Sequence, residues 1–363
     1  MKHYDEIERG LQAFLTNPCL LSASQLRRIV QLCTGLVLAG RCQLRLMARW
    51  IRRSGRQNNR IQWVRRCLDA AFLRPEYVYE PFVKHLLVHS DLAVWHVLMD
   101  RTHVEGWKED VVMVSLYYRK RSLPLVWGHV PSGRCPSLVA LALLKRAAAL
   151  LPKGAPVIFQ GDCEFGTVAL LKWIKQQGWD FIVAQTGQTH FRQRGSREFQ
   201  ALSSLAVTRT QPQRLSHVFL SSQHDFGEVN LYAFYQPHHK DATRRTRKIQ
   251  YLATSLPFSR LIRTLGKRRW GVECLFRDLK SAGWDMETSR VTTVKRRSAL
   301  LTLIALCYLW LTFIGRWLCK TGHRYWVDHA AQRHLSLFHI GWDWLVYQWR
   351  CGLQCPHLSR VYF

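Results

Sequence analysis

Acidic residues are scarce in this chain. Only 24 Asp and Glu stand against 53 Lys and Arg, a formal net charge of +29, so the protein repels itself in isolation and calls for a polyanionic partner. Nucleic acid is expected ahead of an acidic membrane surface. The basic clusters Arg52-Arg53, Arg65-Arg66, Arg119-Lys120-Arg121, Arg244-Arg245-Thr246-Arg247-Lys248, Lys267-Arg268-Arg269 and Lys295-Arg296-Arg297 alternate with core-like segments and suggest an extended surface. A secretory leader is also lacking: Met1 to Arg9 has neither an apolar core nor a small-residue cleavage site, which points to the cytoplasm. No disulfide framework is indicated, because the eleven Cys stand mostly singly in apolar or basic helical patterns, as Cys33, Cys67, Cys274 and Cys307 do. Cys351-x3-Cys355-Pro356-His357, with His334 and His339 upstream, lacks the second ligand pair that a zinc module needs. The uncharged run from Ala299 to Ile314 stops at 16 residues and holds two Thr. A membrane span needs about 20 apolar residues, so a helix buried on all sides is expected here. No internal repeat is apparent.

What is present is a chain of 363 residues with 48% hydrophobic content, enough for a large core and two or three domains. One helical stretch combines a carboxylate with cations. In Arg269-Trp270-Gly271-Val272-Glu273 and Phe276-Arg277-Asp278-Leu279-Lys280, the residues Arg269, Glu273 and Lys280 fall on one stripe at helical spacing. Such a stripe suits a metal ion held against a phosphate backbone, although an ordinary solvated Arg/Glu pair has the same spacing. Two strand-length runs each end in an Asp: Ala93 to Met99 before Asp100-Arg101-Thr102, and Ala155 to Gln160 before Gly161-Asp162-Cys163-Glu164-Phe165-Gly166. Either Asp alone also fits a turn or cap. Three carboxylates brought together would repel unless divalent cations joined them, and such hard oxygen donors suit Mg²⁺ or Mn²⁺.

The order Asp100-Arg101-Thr102, Gly161-Asp162-Cys163-Glu164-Phe165-Gly166, Arg269-x3-Glu273-x6-Lys280 resembles the DDE transposases of bacterial insertion sequences. It is most similar to the insertion-sequence-four family, with its Tyr-x2-Arg-x3-Glu-x6-Lys signature. Thr254-Ser255-Leu256-Pro257 and Phe276 to Trp284 add context, and the resemblance covers roughly residues 93 to 315. One departure is plain: Gly266 stands where the signature has the Tyr that contacts transposon-end phosphate. The resemblance implies that Asp100, Asp162 and Glu273 are catalytic and hold two Mg²⁺ ions, for which Mn²⁺ substitutes. Arg269, Lys280 and Arg277 would bind phosphate. Trp270 would stack on a base exposed during hairpin formation, or pack in the core. Thr102 would hold a metal-bound water or satisfy backbone. Glu105, Asp110, Glu164, Asp278 and Asp285 are spare acids, with Glu164 the substitute for Asp162, while His96 and His103 are read as structural and Cys163 takes no role.

The expected fold class is α/β: a ribonuclease-H-like catalytic core with a β-rich insertion, plus an α-helical N-terminal domain. Residues 1–92 carry amphipathic helical periodicity with basic outer faces, suited to DNA binding or simply to a helical bundle. Residues 93–187 and 251–315 form the core, with strands expected at 94–99, 111–118, 124–130, 156–161 and 180–184 and helices at 137–151 and 167–177. Residues 188–250 are the insertion. Residues 316–363, with Trp326, Trp342, Trp344 and Trp349, form a helical region with a possible role in dimerisation. The implied activity is cut-and-paste transposition on terminal inverted repeats and target DNA by a homodimer, in a bacterial cytoplasm at the nucleoid and without a membrane. The alternatives are a catalytically impaired, transposase-derived DNA-binding protein and a nuclease of the same fold.

Overall fold

Among the described residues, apolar runs of strand length in the middle of the chain assemble into one mixed sheet of ten strands. The computed structural model describes residues 2–16, 21–220, 226–236 and 248–351. Arg244 to Arg247 of one basic cluster and the Cys355-Pro356-His357 segment lie outside the described residues. Five helices come first: α1 (Lys2–Leu15), α2 (Ala23–Ala39), α3 (Leu44–Arg49), α4 (Gln57–Asp69) and α5 (Pro75–Val88). Helix α2 starts with a capping box, in which the Ser22 hydroxyl accepts from Gln25 N and the Gln25 side chain accepts from Ser22 N.

Next come β1 (Trp95–Thr102), β2 (Glu109–Tyr118), β3 (Arg121–Pro131), α6 (Ser137–Ala148), β4 (Val157–Gly161), α7 (Val168–Gln176) and β5 (Asp180–Gln185). Strands β6 (His190–Gln193), β7 (Gln200–Ala201), β8 (Gln213–Leu220), β9 (Glu228–Gln236) and β10 (Lys248–Thr254) continue the same sheet. The spatial order is β3-β2-β1-β4-β5-β10-β9-β8-β6-β7. Among the described residues, only β1–β4 and β4–β5 are parallel, and every other pair is antiparallel. Strand β1 does not stop before Asp100. It runs through to Thr102, where Asp100, Arg101 and Thr102 pair with Met113, Val112 and Val111 of β2.

The last helices are α8 (Leu261–Gly266), α9 (Trp270–Leu279), α10 (Val294–Lys320) and α11 (Leu337–Arg350). The uncharged run from Ala299 to Ile314 lies inside α10, a helix of 27 residues that continues past the run in both directions. It is long and apolar enough to cross a membrane, but 94% of its most apolar stretch is buried inside the molecule. Its charged start is also accommodated: Arg297 is 3% exposed, with an ion pair to Glu109 and a hydrogen bond to Val291 O at 2.9 Å. Helix α11 lies directly on α10. A Cβ on Gly315 would come within 1.9 Å of Leu337 O, and one on Gly341 within 2.0 Å of Leu311 O, so only glycine permits this approach. The main hydrophobic core is continuous from Ile7 to Leu345, and a smaller cluster of Ile182, Tyr232, Phe234, Leu252 and Ile262 lies under α8. Of the four C-terminal Trp, Trp344 is buried, whereas Trp326 and Trp349 are exposed.

Candidate active site

In the parallel pairing of β1 with β4, Met99 sits opposite Gly161, so Asp100 within β1 and Asp162 just past the end of β4 follow at the same level. Asp162 caps the 3₁₀ turn Cys163–Phe165, its Oδ1 accepting from Glu164 N at 2.9 Å. The preceding Gly161 has a packing reason, since a Cβ there would come within 2.9 Å of the Phe165 Cβ. Asp100 Oδ1 accepts from Arg101 N at 2.8 Å.

Helix α9 brings the third acid. Arg269, in the 3₁₀ turn Lys267–Arg269 just before α9, donates from Nη1 to Asp100 Oδ2 at 2.9 Å and from Nη2 to Glu273 Oε1 at 2.8 Å. One guanidinium therefore joins the strand acid to the helix acid. Burial pushes the Asp100 carboxyl up to about 6, Arg269 offsets part of this, and the charges of Asp162 and Glu273 add to it. Burial is also the leading cause that raises Asp162 and Glu273 above the ordinary carboxylate range. Three partly desolvated carboxylates with one guanidinium among them are short of positive charge.

Their donor chemistry fits Mg²⁺ or Mn²⁺, which take carboxylate oxygen. Among the described residues, however, no three His, Cys, Asp or Glu side chains converge closely enough to hold one ion, and Arg269 supplies the cation between Asp100 and Glu273 in this arrangement.

The stripe expected along α9 is only partly formed. Arg269 and Glu273 meet, but the helix ends at Leu279, and Lys280 leaves it with φ −95° and ψ −130°. Lys280 Nζ donates to His103 O and lies 3.5 Å from Glu287 Oε1. Trp270 is 55% exposed, which corrects the core alternative. Arg277 is exposed on α9. The Thr102 hydroxyl donates to His103 O at 3.3 Å, so in this structure it satisfies backbone.

Glu164 is not a spare acid. It receives Arg101 Nε at 3.2 and 3.0 Å and the Cys135 backbone N–H. Arg101 also pairs with Asp110, whose Oδ1 meets His103 Nδ1 at 2.8 Å and Ser132 Oγ at 3.0 Å. Burial would raise Asp110, but His103, Arg101 and Ser132 outweigh it and hold the carboxyl below its usual range. This network braces the segments that carry Asp100 and Asp162. Sequence reasoning passed over Arg101, although strand alternation placed its side chain opposite that of Asp100. Asp278 is also engaged: it is 1% exposed, with Tyr308 Oη at 3.5 Å and Arg121 and His339 each at 3.6 Å. His96 is buried beside Arg268 and the Gln160 amide, and burial together with that guanidinium lowers it to about 4. At Gly266, a Cβ would meet Leu252 Cδ1 at 2.9 Å and Ile182 Cγ2 at 3.8 Å, so a side chain there starts into the small cluster under α8.

Comparison with known proteins adds three findings. Residues 96–310 match the family model described as the transposase DDE domain. No curated protein matches the chain. Among solved structures, the chain is similar to a cryo-EM structure of a piggyBac transposase synaptic complex with hairpin DNA, at 11% identity and a TM-score of 0.46, over 100% of this chain and 83% of the other.

Proposed function

The chain belongs to the transposase DDE domain family, and on that premise we propose an insertion-sequence transposase of the insertion-sequence-four type. It cuts DNA at the transposon ends and joins the freed ends to target DNA by cut and paste. The observation that carries this reading is the placing of Asp100, within β1, level with Asp162, just past the end of the parallel strand β4, with Glu273 tied to Asp100 through Arg269.

On this reading, strands β1 to β5 with α6, α7, β10, α8, α9 and most of α10 form a ribonuclease-H-like core over 93–187 and 251–315. Residues 188–250 are its β-rich insertion, 1–92 bind DNA, and 316–363 serve dimerisation of a homodimer acting in the bacterial cytoplasm at the nucleoid. Asp100, Asp162 and Glu273 are the groups to hold Mg²⁺, or Mn²⁺ in its place. When bound, two such ions supply the Lewis-acid charge that phosphodiester displacement needs. Arg269 has a planar fork of donors that grips two phosphate oxygens as readily as two carboxylates. Trp270, the next residue, offers an exposed ring to a base turned out of the duplex. Lys280 places a point charge beside His103 O and Glu287, and Arg277 meets the backbone further along α9.

The test is Mg²⁺-dependent cleavage of a labelled duplex bearing the element's own ends. Cleavage that Asp162→Ala and Glu273→Ala each abolish, with DNA binding retained, supports the reading. Cleavage without joining identifies a nuclease of the same fold. Binding without wild-type cleavage in Mg²⁺ or Mn²⁺ identifies a catalytically impaired DNA-binding protein.

A further inference from the structure

Between Glu8 and Asp69 the chain has no Asp or Glu, and Gln43 to Arg66 alone holds eight Arg. Helix α4 lies at the end of this acid-free stretch. Its inner face is Trp63, Val64, Cys67 and Leu68, all buried, and its outer face presents Asn58, Asn59, Gln62, Arg65 and Arg66, all exposed. The amides do not serve the helix. Asn is a poor helix former, and the N-cap position is Arg56, which makes no side-chain capping bond. Helix stability therefore gives no reason for two Asn in the first turn of a solvent-facing stripe.

We infer that α4 is the sequence-reading helix of the protein, lying in the major groove of duplex DNA with Asn58, Asn59 and Gln62 on base edges and Arg65 and Arg66 on phosphate. The inference rests on the proposed DNA activity and names the element that chooses the site. Three observations carry it beyond charge alone.

The side-chain types are the first: Asn and Gln pair bidentately with adenine, and Arg with guanine. At 1.5 Å per residue the stripe runs about 12 Å along the helix, and the major groove, about 12 Å wide, admits a helix of this diameter. Rigid mounting is the second. Gln57 Nε2 donates to Arg45 O at 3.0 Å, which ties α4 to α3, Gln57 Oε1 accepts from Arg60 Nη2 at 2.7 Å within α4, and Arg53 lies over the Trp63 ring at 5.1 Å. Position is the third. Cys42 N, just before α3, donates to Trp284 O at 2.9 Å, and Arg296 grips Asp69 at the end of α4 with two 2.7 Å bonds. Trp284 and Arg296 belong to the segment that follows Lys280, so the reading helix is tied to the stretch of chain between α9 and α10. Arg45, Arg49, Arg52, Arg53 and Arg56 are exposed along the α3–α4 connection for the flanking phosphates.

The experiment uses the full chain and a randomised duplex pool. The wild type selects a preferred duplex, and affinities for it and for a scrambled duplex are read by fluorescence anisotropy over a salt series. Asn58→Ala/Asn59→Ala/Gln62→Ala is expected to cut the selected-to-scrambled ratio at least tenfold while affinity for scrambled DNA is kept. Arg65→Ala/Arg66→Ala is expected to weaken both duplexes together and lower the salt slope by about 2, near 0.9 per phosphate contact. Gln62→Arg, a solvent-facing change, is expected to shift one selected position from adenine to guanine, an outcome that misfolding does not produce. An unchanged ratio in the triple variant, or an unchanged consensus for Gln62→Arg, overturns the inference. So does a wild type that selects no sequence, and Mg²⁺-dependent cleavage in that same preparation leaves the proposed activity standing.

Discussion

Two carboxylate clusters lie one residue apart on β1 and are opposite in state. Around Asp100, one guanidinium binds two of three acids, Asp100 and Glu273, and burial holds all three carboxyls above the usual range. Around Arg101, the acids Glu164 and Asp110 are satisfied by a guanidinium, an imidazole, a hydroxyl and a backbone N–H, and Asp110 is held low. The residue types are nearly the same. What differs is whether the protein itself completes the neutralisation. A cluster completed internally is structural, whereas one left short of positive charge is arranged for something that arrives later.

The comparison is broken most directly at Glu273. Glu273→Ala is expected to lower single-turnover cleavage by at least about 10³-fold, some 4 kcal/mol of barrier, with the melting temperature unchanged or raised. Loss of cleavage together with loss of fold would place Glu273 in the structural class. At the second cluster, Arg101→Leu leaves Asp110 buried without its guanidinium, and denaturant titration should show a loss of about 3 kcal/mol. Asp100→Asn carries the opposite sign: it removes a buried, repelled charge, and differential scanning fluorimetry should show a melting temperature higher by a few degrees while cleavage is lost. If both substitutions destabilise alike, the distinction between the clusters fails.

A pH series sharpens the same contrast. Buried His96 and half-buried His129 of β3 have folded values near 4, below the unfolded 6.5, so the stability they contribute is present above pH 6.5 and is lost as pH falls toward 4. Asp100 has a folded value near 6, above the unfolded 3.8, so its contribution is fully present below pH 3.8 and is lost as pH rises through 6. The terms oppose in the wild type. Asp100→Asn deletes the acid's term, and its stability should fall more steeply than wild type between pH 6.5 and 4. The smallest effect concerns Gly266→Tyr, which should lower the melting temperature and bring no gain in cleavage, because the side chain enters the cluster of Leu252 and Ile182.

The strands that frame the cleft were readable because buried strands leave apolar runs of the right length, as in Val94 to Met99 and Pro156 to Gln160. Their pairing was less so. Nothing in residues 188–250 announces that β6 to β9 extend the same sheet through β10, since sheet partners are long-range. The Arg269/Glu273 contact followed from helical spacing, yet Lys280 left the stripe because α9 stops one residue earlier. Helix ends are decided by local capping and by what the chain meets next, here His103 O and Glu287. The brace around Arg101 was hidden for another reason: its members come from 101, 103, 110, 132, 135 and 164, and no short window contains them.

The contact between α10 and α11 carries a consequence for inheritance. Gly315 and Gly341 lie far from the chemistry in sequence, yet any side chain at either one collides with a backbone carbonyl that cannot retreat. In a saturation library selected for transposition, both positions should be depleted of every substitution as thoroughly as Asp100 or Glu273. Lineages would then preserve two plain glycines as faithfully as the acids, though for reasons of fit alone.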